Sequence, residues 1–408
     1  MIKMNKIGKF RYFPSFAAGE FGIYGLYKNY KFKDKLTCRF YSDEFPEEFR
    51  YTDCLVTAGH NMKFENHYQD MGFKRDVNLV MGDSGGFQIS SGATKWKPEL
   101  KEKTFHWLEN NSDIAINLDI PPRLKLTGKF QECFDISYDN FKYFNEHQTG
   151  KTKFLNVIQG EDFTTYNKWY TAVKDFDFQG WSVGGAGGNF NKFMSSICTL
   201  LAGKEHEKKN VEYIHILGTS RIKDFFMLLQ LQKSLEDIGS HVTVTTDSSS
   251  PDRSVAFGTY YMSFSLKKGN FDSITMPRDK HLEGMEQMVS NLKYNGLYGV
   301  NEFDRFISNW TDMEDVTKWN YDAVFAIRLH NFYLFLDAIQ MIEQAVYGLQ
   351  HNLEQMMDKD LHQVLVSIDE MVKSDNPKMV FDKYTPLYTK LSNTKTSKTL
   401  VENNFWDV

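Results

Sequence analysis

The run VNLVMGDSGGFQISSG, residues 77 to 92, carries an apolar, β-branched stretch into an acid, a serine, two glycines and an aromatic. Such a run places the Asp83 carboxylate at the carboxyl end of a strand, where bare glycine backbone lets a ligand approach. Other strand-like runs end in the same manner, at Asp119, Gln159, Gly184 with Gly185, Gly218 and Asp247. Three acids and an amide converging on glycine backbone make a pocket rich in acceptors. It suits a ligand with several N–H donors and a carbonyl, such as a purine of the guanine type. A lone strand-end Asp is commonly a helix cap, but several at one face are not explained in that way. Asp83 and Asp247 as a pair permit double displacement at a glycosidic carbon. One carboxylate attacks the anomeric centre and holds the sugar as an ester; the other protonates the leaving group and then deprotonates the incoming one. That chemistry needs no metal. Phe87, four residues past Asp83, offers a ring on which a planar base can stack.

Seven short runs rich in β-branched residues must position these groups: 53 to 60, 77 to 86, 113 to 122, 154 to 160, 180 to 188, 211 to 220 and 241 to 251. Segments long enough for a helix separate them, such as DFFMLLQLQKSLEDIG (224 to 239), whose apolar residues fall near helical spacing before Gly239. Strand then helix, repeated, predicts a parallel sheet. A (β/α)8 TIM barrel is favoured over an open doubly wound sheet, because an open sheet gathers ligand contacts at one switch point and here nearly every strand end carries a candidate. The expected layout is a barrel over residues 1–265, with a basic aromatic-rich N-terminal segment, and a C-terminal helical region over 266–408 that closes the barrel and packs against it. Within that region 321 to 372 is the most persistent amphipathic stretch. The Lys- and Thr-rich tail from Asn376 is expected to be at most partly ordered.

The apolar fraction of 41% and aromatic fraction of 15%, with 34 Phe and 21 Tyr, are enough to bury a substantial core and argue against wholesale disorder. No apolar run approaches the roughly 18 residues that a membrane span needs, and no leader pattern is found, so no membrane partner and a cytoplasmic location are expected. The cysteines Cys38, Cys54, Cys133 and Cys198 lie far apart and form no C-x-x-C pair, which fits neither a disulfide framework nor a thiolate metal site. A net charge of −5 excludes a uniformly basic coat, yet one local patch suffices for a nucleic-acid backbone. The first 39 residues, with Lys3, Lys6, Lys9, Arg11, Lys28, Lys31, Lys33, Lys35 and Arg39 against Glu20 and Asp34, are such a patch or equally a solvated surface.

DSGGFQ (83 to 88) resembles the signature of the tRNA-guanine transglycosylase superfamily, and further landmarks follow in that family's order: LDIPP with Asp119, VIQG with Gln159, VGGAGG from Val183, HILGTS with Leu217, DSSSPDR with Asp247, and His330-Asn331 in RLHNFYLFLDAI. The likeness covers roughly residues 50 to 350. It implies the barrel, with Asp247 as nucleophile and Asp83 as general acid and base. It further implies that Asp119, Gln159, Ser84 and the backbone of Gly184 and Gly185 read the base while Phe87 and Leu217 sandwich it, with no cofactor required.

The tRNA enzymes carry a C-x-C-x-x-C zinc cluster upstream of that His, whereas residues 253 to 330 here contain no cysteine, so the thiolate zinc site is absent and His330 is expected to be a hydrogen-bonded core side chain. Together with RYFPSFAAGEFG and LVTAGHN (55 to 61), this looks closer to the branch found in bacteriophages and bacterial gene clusters that exchanges guanine in DNA for a 7-deazaguanine such as preQ0. The implied partners are DNA, free guanine and a free 7-deazaguanine base, in a host cytoplasm if the chain is phage-encoded. Arg253, six residues past Asp247, is the candidate for a phosphate contact, with an ion pair to Asp252 as its alternative. A tRNA enzyme of the same chemistry, or a non-catalytic nucleic-acid-binding partner, stays open at this point, as do the oligomeric state, the DNA sequence preferred and the strandedness of the substrate.

Overall fold

A computed structural model describes residues 8–15, 26, 28–29, 31–32, 36–122, 130–256, 259–275, 321–348 and 353–393. Much of the basic N-terminal segment, including Lys3, Lys6, Lys33 and Lys35, lies outside the described residues, as do 276–320 and 394–408 of the C-terminal region.

Eight short strands form one sheet: β1 Arg11–Pro14, β2 Asp53–Thr57, β3 Leu79–Asp83, β4 Ile114–Ile116, β5 Lys153–Ile158, β6 Gly180–Val183, β7 Tyr213–Ile216 and β8 Thr243–Ser248. From β2 to β8 each strand pairs in parallel with the next, and β8 pairs in parallel with β1. At the last seam Ser15 bridges Leu55, and the Arg11 guanidinium reaches both Asp53 carboxylate oxygens at 3.0 Å. The ring is a (β/α)8 barrel. Both faces of each strand are covered, which is why VNLVM, DIAI and FLNVI are nearly continuous apolar runs rather than alternating ones.

Helices α1 Glu99–Asn111, α2 Phe130–His147, α3 Phe163–Val173, α4 Phe190–Ala202 and α5 Phe225–Asp237 follow β3 to β7 in turn, and α6 Ser250–Ala256 follows β8. Their starts are set by side chains. Asp162 and Thr165 form a reciprocal capping box on α3, and Asn189 accepts the Lys192 N–H of α4.

All seven expected strand runs hold a barrel strand. The eighth, β1, lies in the segment read only as basic and aromatic. RYFP follows a lysine-rich stretch, ends in proline and holds no β-branched residue to mark it as a strand. Its Tyr12 and Phe13 are nonetheless buried, and register places Phe13 opposite Asp247.

Beyond the barrel the expectation of helices alone is corrected by an antiparallel hairpin, β9 Thr259–Ser265 and β10 Asn270–Thr275, which straddles residue 265. Tyr261 stacks on Phe271 across it at 4.2 Å between ring centroids. Then come α7 Tyr321–Val346, α8 Lys359–Lys373 and α9 Pro377–Asn393, where α7 packs on α6 and β9, α8 on α5, and α9 on α4 and α8. Of the Lys- and Thr-rich tail, Pro377–Asn393 forms the regular helix α9. Val380, Phe381 and Tyr388 are buried beneath it, and Ser392 Oγ joins Asn189 Oδ1 at 3.1 Å. Among the described residues no helix is long and apolar enough to cross a membrane.

Candidate active site

The carboxyl ends of the barrel strands gather the expected groups in strand order. Asp83 ends β3, Asp119 lies three residues past β4, Gln159 directly follows β5, Gly184 follows β6, Leu217 follows β7, and Asp247 is the fifth residue of β8. A parallel barrel points every strand the same way, so its rim collects these positions into one mouth.

Asp83 is held on both oxygens. Thr57 Oγ1, opposite it in register on β2, donates to Oδ2 at 2.9 Å, and the Gly85 N–H donates to Oδ1 at 3.3 Å. Burial raises its pKa above the usual carboxylate range against the pull of those two donors, and the nearby Asp247 charge adds to the rise. Gly86 shows why the motif needs small residues, since a Cβ there would sit 2.1 Å from the Asp119 carbonyl oxygen. The short helix Gly86–Ser90 thereby lies directly against the loop that carries Asp119, with Phe87 on it partly exposed.

Asp119 and Gln159 are both buried, and Gln159 Nε2 donates to Asp119 Oδ2 at 2.7 Å. Burial pushes the Asp119 carboxyl up to about 7, the Gln159 bond opposes this, and the Asp83 charge reinforces it. The Gln159 amide lies across Gly184, where a Cβ would fall 1.9 Å from its Nε2. The Gly184 N–H is committed to the Ile158 carbonyl at 3.0 Å, and its own carbonyl accepts the Tyr166 hydroxyl at 2.8 Å. Of the two backbone groups expected to read a base, the Gly185 N–H is therefore the available donor, since it makes no bond among the described residues.

Ser84, expected beside them, is buried, and its hydroxyl donates to the Asn117 carbonyl at 3.1 Å, tying the end of β3 to that of β4. Arg253 stands on α6, partly exposed. Its proposed local acid, Asp252, meets Arg328 Nε at 3.1 Å. His330 Nε2 lies 2.8 Å from the Tyr261 carbonyl, and Asn331 accepts the Tyr261 N–H at 2.9 Å, so this pair fastens α7 to the hairpin.

Asp247 Oδ1 accepts the Gly218 N–H at 2.7 Å, which is possible because Gly218 adopts φ +65° and turns its amide inward. Leu217, partly buried, sits one residue before that turn. Two groups escaped the sequence reading: Thr57, and His215, whose Nε2 lies 3.4 Å from Asp247 Oδ1. Strand alternation alone puts His215 on the same inward face as Leu217, a signal that was available in HIL. Among the described residues no cluster of three or more His, Cys, Asp or Glu is arranged to hold a metal ion.

No family model matches this chain, and no curated protein matches it.

Proposed function

We propose that the protein is a DNA-guanine transglycosylase, which exchanges guanine in DNA for a 7-deazaguanine base such as preQ0 by double displacement. The observation that carries this is the ring of Asp83, Asp119, Gln159, Gly185, Leu217 and Asp247 around one barrel mouth, in the order in which the transglycosylase-like motifs run along the chain. The missing cysteines of residues 253 to 330 separate it from the tRNA enzymes.

The target guanine leaves the stack to enter the mouth, since its glycosidic carbon is shielded within a duplex. Asp119 and Gln159 meet its Watson–Crick edge, and Phe87 and Leu217 cover its faces. Asp247 attacks C1′ as the C1′–N9 bond breaks, and the electron pair leaves on the guanine. Asp83 supplies the proton to the departing base, a task that its raised pKa suits, and Thr57 with the Gly85 N–H stabilises the carboxylate left behind. The incoming base then attacks C1′ from the same face, gives its proton to Asp83 and restores the original configuration. Arg253 contacts the phosphate backbone at the rim.

Trapping tests the reading. Mixed-sequence DNA incubated with the protein and denatured should retain covalently bound protein, and Asp247→Asn should abolish that adduct. An adduct that persists in Asp247→Asn would remove Asp247 as the nucleophile.

A further inference from the structure

His215 lies on β7 below the rim, fully buried, and the double displacement set out above gives it no task. Register places it beside Ser182 of β6 and Thr245 of β8. Its Nδ1 is 2.8 Å from Thr245 Oγ1, and its Nε2, 3.4 Å from Asp247 Oδ1, makes no hydrogen bond of ordinary geometry. An Nε2 lone pair facing a carboxylate at that distance is repelled, so Nε2 carries the proton. The Thr245 contact sets the plane of the ring. The oxygen that His215 faces is the one already held by the Gly218 N–H, and Asp247 Oδ2 makes no bond among the described residues.

We propose that His215 is a positioning residue for Asp247: drawn in from 3.4 Å, its Nε2–H joins the Gly218 N–H in a two-donor cradle for Oδ1, leaving Oδ2 to attack the sugar. The role rests on Asp247 being the nucleophile. When the Oδ2–C1′ bond forms and C1′–N9 breaks, Oδ1 becomes an ester carbonyl oxygen and loses most of its charge. When N9 of the incoming base attacks C1′, the electron pair of the C1′–Oδ2 bond returns to the carboxylate, and charge reappears on Oδ1 where the two donors wait. The cradle therefore stabilises the departing carboxylate more than the ester. Its loss must slow breakdown of the adduct more than its formation, a split that loss of packing alone does not produce.

The test follows adduct formation on mixed-sequence duplex DNA by rapid quench, then adduct loss after addition of excess preQ0. His215→Phe is expected to slow breakdown by about 100-fold, in line with removal of one donor to a developing oxyanion, with a smaller effect on formation, so that adduct accumulates. His215→Gln, which can present an amide N–H to Oδ1, should recover most of the breakdown rate. Thr245→Val keeps the imidazole and frees its ring, and should accumulate adduct to a lesser degree. If His215→Phe does not fold, accumulation in Thr245→Val decides the matter. Equal loss in both steps without recovery by Gln, or no accumulation in Thr245→Val, overturns the proposal. A wild-type protein that forms no adduct on DNA overturns the proposed function on which the role rests, a distinct failure.

Discussion

At the residue scale the site is defined by carboxyl groups kept from water. Asp119, ordinarily near 3.8, is pushed to about 7 by burial. The folded value lies above the unfolded one, so the stability it contributes is fully present below about 3.8 and is lost as pH rises toward about 7. Asp119→Asn keeps an acceptor for Gln159 and removes the charge. It should be more stable than wild type at about pH 8, by an amount on the order of a few kcal/mol, and should lose that advantage near pH 4. Thermal melts at both pH values check this, and an offset that does not change with pH would contradict it. The acids were legible in the sequence because each closes an apolar run. Thr57 was not, since a threonine inside a strand carries no mark of function until the fold shows what it faces, and His215 was marked only by its alternation with Leu217 in HIL.

At the scale of elements, glycine placement separates two kinds of constraint. A Cβ on Gly86 would strike backbone, the Asp119 carbonyl oxygen, whereas one on Gly184 would strike the mobile end of Gln159. Gly86→Ala should therefore lower the melting temperature, at a cost of about 1–3 kcal/mol. Gly184→Ala should melt closer to wild type while weakening guanine binding through a displaced Gln159. Calorimetry and a direct binding titration distinguish the two, and wild-type guanine affinity in Gly184→Ala would contradict the placement of Gln159 as a base reader. Seven of the barrel strands were readable because buried parallel strands are short β-branched runs between turn residues. The strand β1 was hidden by its lack of β-branched residues and by the lysines that precede it. The helix α9 was hidden by its own polarity, although FNKFMSSICTLLA of α4 announced it. A barrel helix with ten of its thirteen residues buried needs a cover on its outer side, and α9 is that cover.

For the whole molecule, the C-terminal helices act as a second shell around one side of the barrel. Ser234 Oγ of α5 meets Asp369 of α8 at 2.9 Å, and Tyr388 of α9 meets Ser367 of α8 at 2.8 Å. Ending the chain after Asp375 would uncover α4 and forfeit Val380, Phe381 and Tyr388 from the core. Apolar side chains of this size contribute about 1.5–3 kcal/mol each when buried, so the shortened protein should melt well below the full chain and tend to associate; an unchanged melting temperature would contradict the packing described. The site itself is a property of the closed ring, because no two of Asp83, Asp119, Gln159 and Asp247 share a strand. What that ring acts on is tested most directly by supplying radiolabelled guanine or preQ0 together with double-stranded DNA and, in parallel, with unmodified tRNA. Label entering DNA alone is the expected result. Label entering tRNA alone would contradict the DNA assignment while leaving the roles of Asp83 and Asp247 in place.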